Sequence, residues 1–108
     1  MKYQITSFNF QFNDIIYYLD TTIPFKMYQD KFNQLIQLIT TNVSKSNLLI
    51  LDFSYIAPDG KRKSLITKDR YIPDDSFNTI FSILHGTGIM KFTTEVIKGR
   101  KENERKSR

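Results

Sequence analysis

The apolar residues of this chain switch spacing along its length, and that switching limits the fold more than any single residue does. Phe8, Phe10 and Phe12 stand two apart, with Asn9 and Gln11 between them. Side chains alternate across a strand, so this spacing builds one apolar face. Asn13-Asp14 suits a turn, and Ile15-Ile16-Tyr17-Tyr18-Leu19 follows, rich in β-branched and aromatic residues. The period then changes. Phe25, Tyr28, Phe32, Leu35, Ile36, Ile39 and Val43 fall mostly three or four apart, the stripe of an amphipathic helix. Pro24 predicts its start, and Thr40, Thr41 and Asn42 its end.

The sequence then runs through a similar succession. Leu49, Leu51, Phe53 and Tyr55 alternate again. Ala57-Pro58-Asp59-Gly60 predicts a tight turn, because Pro pre-sets φ and Gly accepts positive φ. Lys63 to Thr67 is the expected return strand. Pro73-Asp74-Asp75-Ser76 opens a second helix with Asp74 as its cap, and Phe77, Ile80, Phe81 and Leu84 form its apolar face. Gly86 is placed to end it. Met90, Phe92 and Val96 alternate in a last strand.

The expected fold is therefore α+β: an antiparallel sheet with two helices on one face, in the order ββαββαβ. The halves resemble one another. Phe32-Asn33, Leu35, Ile36, Leu38 and Ile39 recur 45 residues on as Phe77-Asn78, Ile80, Phe81, Ile83 and Leu84. Ile23-Pro24 recurs at Ile72-Pro73, 49 residues on, which predicts a second helix one turn shorter; Phe8, Phe10 and Phe12 resemble Leu51, Phe53 and Tyr55, at 43. A ββα duplication and convergent patterning both account for this. Residues 1–97 read as a single domain. Residues 98–108 contain no apolar side chain and read as a basic tail or a frayed helix end.

The chain has 108 residues, no cysteine and a net charge of +5, which suits one domain without disulfides or thiolate metal sites. No signal-peptide core or membrane-length apolar run is present, so a cytoplasmic location is expected. Reactive groups are sparse. His85, the one histidine, sits where it supports the carbonyl end of the second helix. Gly86-Thr87-Gly88 follows a helix instead of preceding one, the wrong order for a phosphate cradle. Asp74-Asp75 reads as helix capping, with no further ligand at metal spacing. No catalytic residue, cofactor or metal is expected, and the chain reads as a non-enzymatic binding protein.

Two basic groups carry the binding signal. Lys61, Arg62 and Lys63 lie on the hairpin, with Lys68 and Arg70 after it; Lys98, Arg100, Lys101, Arg105, Lys106 and Arg108 lie on the tail. Residues 98–108 hold 6 basic and 2 acidic residues, most of the net charge. Such groups attract phosphate. Tyr17 and Tyr18 cannot both face the helices, so one of them is offered for base stacking. With Leu49, Leu51, Phe53 and Tyr55 inward, Leu48, Ile50 and Ile56 join Asp52 and Ser54 on a second, rather apolar face. The expected partner is RNA, single-stranded DNA, or a nucleic-acid-processing protein complex. The alternatives are a phage or mobile-element inhibitor of a host nuclease effector, of the anti-CRISPR type, and a structural homodimer.

Overall fold

In the computed structural model, which describes residues 2–65, 70–85 and 91–97, alternating segments pair into one antiparallel sheet and the two helical stripes close one of its faces. The elements are β1 (Lys2–Phe12), β2 (Ile15–Leu19), β3 (Phe25–Tyr28), α1 (Gln29–Ile39), β4 (Leu48–Ile56), β5 (Arg62–Ser64), β6 (Arg70–Ile72), α2 (Ser76–His85) and β7 (Phe92–Val96). The sheet runs β5-β4-β1-β2-β7, with β3 also beside β1 and β6 also beside β4. The expected α+β architecture is present, and two short strands are added to the expected order.

The long strands β1 and β4 lie at the centre, and their inward residues Ile5, Phe8, Phe10, Leu48, Ile50 and Phe53 are all 0% exposed. Phe32, Leu35 and Ile39 of α1 and Ile80, Ile83 and Leu84 of α2 complete the same core. The helices sit over opposite ends of β1. Tyr3 stacks on Phe32 with ring centroids 3.8 Å apart, and Phe12 stacks on Phe77 at 4.4 Å.

The first helix begins later than its stripe predicts. Phe25 to Tyr28 form β3, which pairs with Lys2 to Ile5 of β1. Phe25 and Met27 are buried while Lys26 and Tyr28 are exposed, a period of two that the Phe25-to-Tyr28 spacing concealed. Pairing satisfies backbone groups along the outer side of Lys2 to Ile5, which a helix here would leave unmet. The helix end is where it was expected: the Thr40 hydroxyl donates to Ile36 O at 2.6 Å and the Thr41 hydroxyl to Gln37 O at 2.9 Å.

The inward phase of β4 also differs. Leu48 and Ile50 are buried, and Leu49 and Leu51 are only half-buried. The cause is the first of two bulges in the β1–β4 ladder. Asn9 and Phe10 oppose Asp52 and Ile50, leaving Leu51 as the extra residue; Ile5 and Ser7 oppose Tyr55 and Ser54, leaving Thr6 extra. Each bulge admits one more residue without turning the flanking side chains over.

Asp74 does not cap α2. Its carboxylate accepts from the Asn47 backbone N–H at 2.7 Å and from Asn47 Nδ2 at 2.9 Å, tying the entry of β4 to the turn before α2. The hairpin turn matches its sequence: Gly60 has φ 86°, its N–H donates to Ala57 O at 2.8 Å, and Asp59 accepts from Lys61 N at 3.0 Å. Ile66, Thr67, Gly86 and Met90 lie outside the described residues.

The internal repeat extends well beyond the helices. Tyr3 pairs with Met27 and Ile5 with Phe25; 45 residues on, Leu48 pairs with Ile72 and Ile50 with Arg70. The bulges at Thr6 and Leu51 are separated by the same 45, as are Phe8 and Phe53, which pair with each other. A two-fold axis through the Phe8–Phe53 pair therefore relates β1-β2-β3-α1 to β4-β5-β6-α2. This replaces the offsets of 49 and 43, and the helices have 11 and 10 residues, with no missing turn.

Candidate functional site

Directly paired residues of an antiparallel ladder share a face, so the registers define what the sheet presents opposite the helices. From β1 this face receives Lys2, Gln4, Ser7, Asn9 and Gln11, paired on one side with Tyr28, Lys26, Tyr18 and Ile16. On the other side stand Ile56, Ser54, Asp52 and Leu49, followed outward by Arg62, Ser64 and Tyr71. β7 adds Thr93 and Glu95. Among the described residues no helix covers this face. It is more polar than the sequence reading implied, because the bulge sends Leu48 and Ile50 into the core.

Three tyrosines mark it. Tyr28 is 60% exposed and Tyr71 38%; Tyr18 is half-buried. Lys2 Nζ lies 4.8 Å from the centre of the Tyr28 ring, a cation–π contact that orients both groups at the surface. The acids on this face are engaged. Ser7 donates to Asp52, and the Ser54 hydroxyl lies 3.5 Å from the other carboxylate oxygen. Tyr18 donates to Glu95 at 2.8 Å, and that hydrogen bond, with smaller contributions from desolvation and the negative charge of Glu95, raises the phenol above its ordinary value. At one end of the face Gln11, Leu49 and Tyr71 run into a polar cleft of about 290 Å³ completed by Asn13, Asp14, Ser46 and Asn47.

The sequence-predicted residues divide. Lys61, Arg62 and Lys63 are exposed on the hairpin, and Arg62, paired with Ile56, joins the open face. Lys63 pairs with Tyr55 and leaves the sheet on the helix side. Arg70 does so too, and its Nη1 donates to Thr40 O at 3.4 Å, placing the cation at the carbonyl end of α1. Tyr17 is packed in the core, stacked on Phe10 at 5.1 Å with Phe77, Phe81 and Phe92 around it. Only Tyr18 of the two stands on the open face. Lys68, Lys98, Arg100, Lys101, Arg105, Lys106 and Arg108 lie outside the described residues, as do Gly86-Thr87-Gly88.

Tyr28, expected on the stripe of the first helix, and Tyr71, Lys2 and Lys26 were not expected at a binding site. The alternation Phe25-Lys26-Met27-Tyr28 is the signal that marks the first of them. His85 is exposed at the last position of α2. Among the described residues no group of three or more histidine, cysteine, aspartate or glutamate side chains is placed to hold a metal ion, and no helix is long and apolar enough to cross a membrane. Comparison with protein-family models, with curated proteins and with solved structures finds no match for this chain.

Proposed function

We propose that this protein works by binding and not by turnover, and that its open sheet face takes single-stranded nucleic acid. The observation that carries the reading is the combination of tyrosine rings, cations and hydrogen-bonding side chains on one uncovered face. Tyr28 and Tyr71 offer ring surface to bases, which requires bases free of a duplex stack. Gln4, Asn9 and Gln11 offer amides or neighbouring polar groups to base edges, while Lys2, Lys26 and Arg62 supply charge for phosphate. The hairpin cations Lys61 and Lys63 extend this field at one border. The net positive charge of residues 98–108 adds to it by sequence alone. Stacking on every base and charge on every phosphate favours tolerance of sequence over strict readout.

Fluorescence anisotropy of the full chain with labelled oligo(U) and oligo(dT) tests this. Three or four phosphate contacts give a slope of log K against log salt of about −2 to −3. Tyr28→Ala and Tyr71→Ala should each weaken binding by about 1–3 kcal/mol without changing the melting temperature. Failure to bind either oligonucleotide at low salt refutes the proposal.

A further inference from the structure

The pseudo-two-fold axis exposes an asymmetry. β2 and β5 are equivalent strands: each returns from a central strand through a hairpin. β2 is covered on its outer side by β7 along its whole length, from the Ile97 N–H to Asp14 O bond at 2.7 Å to the Asp20 N–H to Lys91 O bond at 2.8 Å. β5 ends the sheet, and among the described residues no strand lies beyond it. The Leu65 N–H donates to Phe53 O at 2.8 Å, and Lys61 O accepts from Ala57 N at 2.8 Å. Residues 61, 63 and 65 therefore turn their backbone groups toward β4, and Arg62 and Ser64 turn theirs outward.

The charge at this edge selects among occupants. Lys61, Arg62 and Lys63 are all exposed. A second copy's β5 would set the same cations against one another, and like charges directly opposite destabilise a strand pair. The chain's own residues 98–108, with 6 basic and 2 acidic side chains, are repelled likewise. Basic edge residues prevent pairing between like edges, and the same charges favour an acidic strand. We propose that the outer edge of β5 docks an extended acidic segment of a partner protein, which adds to the sheet in the place that β7 fills beside β2. This site uses the outward backbone groups of β5; it shares the Arg62 and Ser64 side chains with the border of the tyrosine-bearing face but does not depend on nucleic-acid binding.

The test uses the full chain and a fluorescent heptapeptide of alternating glutamate and valine, without nucleic acid. Two controls accompany it: the same peptide with alternate backbone nitrogens methylated, and a lysine-for-glutamate version. The acidic peptide should bind, the methylated one at least tenfold more weakly, and the lysine version not measurably. Ser64→Pro removes an outward N–H while leaving the ladder to β4 intact. It should abolish peptide binding with the far-UV circular dichroism unchanged, whereas Tyr28→Ala, on β3 at the far side of β1, should weaken oligonucleotide binding and leave peptide affinity unchanged. Slowed hydrogen exchange at the Arg62 and Ser64 amides on adding peptide is the expected signature. Equal binding of the methylated peptide, unaltered exchange at those amides, or no binding at millimolar acidic peptide overturns the proposal.

Discussion

Deleting one residue from a central strand ordinarily reverses every side chain on one side of the cut, yet deletion of Thr6 from β1 should be mild. Ile5 and Ser7 already oppose the adjacent residues Tyr55 and Ser54, so Thr6 is surplus to the ladder. Its removal joins Ile5 to Ser7 and keeps Tyr3, Ile5, Phe8 and Phe10 facing the helices. The Thr6 hydroxyl is also buried with no hydrogen-bond partner among the described residues. Losing such a group relieves a penalty of about 1–3 kcal/mol, which offsets the side-chain packing lost with it. The net change should stay within about 1 kcal/mol of the parent chain. Deletion of Asn9 is the control. It lies between Phe8 and Phe10, both 0% exposed, and its loss forces one of them out of the core. By analogy with truncating a buried phenylalanine, that costs about 3–5 kcal/mol, a large part of the roughly 5–15 kcal/mol available to a domain of this size. Urea unfolding followed by circular dichroism measures both, with equal m values confirming that the unfolded states are comparable. Equal losses for the two deletions would refute the assignment of Thr6 as the bulge residue.

Phe8 and Phe53 meet edge to face across the pseudo-axis at 5.3 Å, so Phe8→Ala and Phe53→Ala should each cost about 3–5 kcal/mol and agree closely in urea unfolding; a wide disparity argues against symmetric roles. The Thr22 backbone N–H and hydroxyl donate to Asp20 and, in that order, hold its carboxyl below its ordinary 3.8. This stabilisation is present above pH 3.8 and is lost as pH falls through the depressed value, so Asp20→Asn should flatten the acid limb of a melting-temperature profile. Tyr18 has the opposite sign: its raised value gives a contribution present below pH 10.0 and lost as pH rises through the folded-state value, and Tyr18→Phe should flatten the alkaline limb. Arg62→Ala should lower oligonucleotide affinity and spare the melting temperature, whereas Arg70→Ala should do the reverse, because Arg70 is tied to the end of α1.

Where apolar spacing was unambiguous, the elements were legible in the residues. Phe32, Leu35 and Ile39 fit only a helix, and Ala57-Pro58-Asp59-Gly60 fits only a turn. The first strand of the helix-preceding pair was hidden because Phe25 and Tyr28 are three apart while Phe25 and Met27 are two apart; pairing with Lys2 to Ile5, distant in sequence, decides between the readings. The run Leu48 to Leu51 carries no polar residue to set its phase, and a bulge exists only relative to the opposite strand. Those two non-local facts placed Tyr28 on the open face and took Leu48 and Ile50 off it. The role of Arg70 was obscured in the same way, since its acceptor Thr40 is 30 residues away. The basic hairpin, by contrast, was readable directly, because exposure of consecutive charges beside a Pro-Asp-Gly turn needs no long-range information.

The most direct measurement is amide chemical-shift mapping of the full chain titrated with a single-stranded oligonucleotide. Binding on the open face requires the largest changes on Lys2, Gln4, Asn9, Tyr18, Lys26, Tyr28, Arg62 and Tyr71, with α1 and α2 left still. Changes confined to the helices, or to residues 98–108 alone, would contradict it.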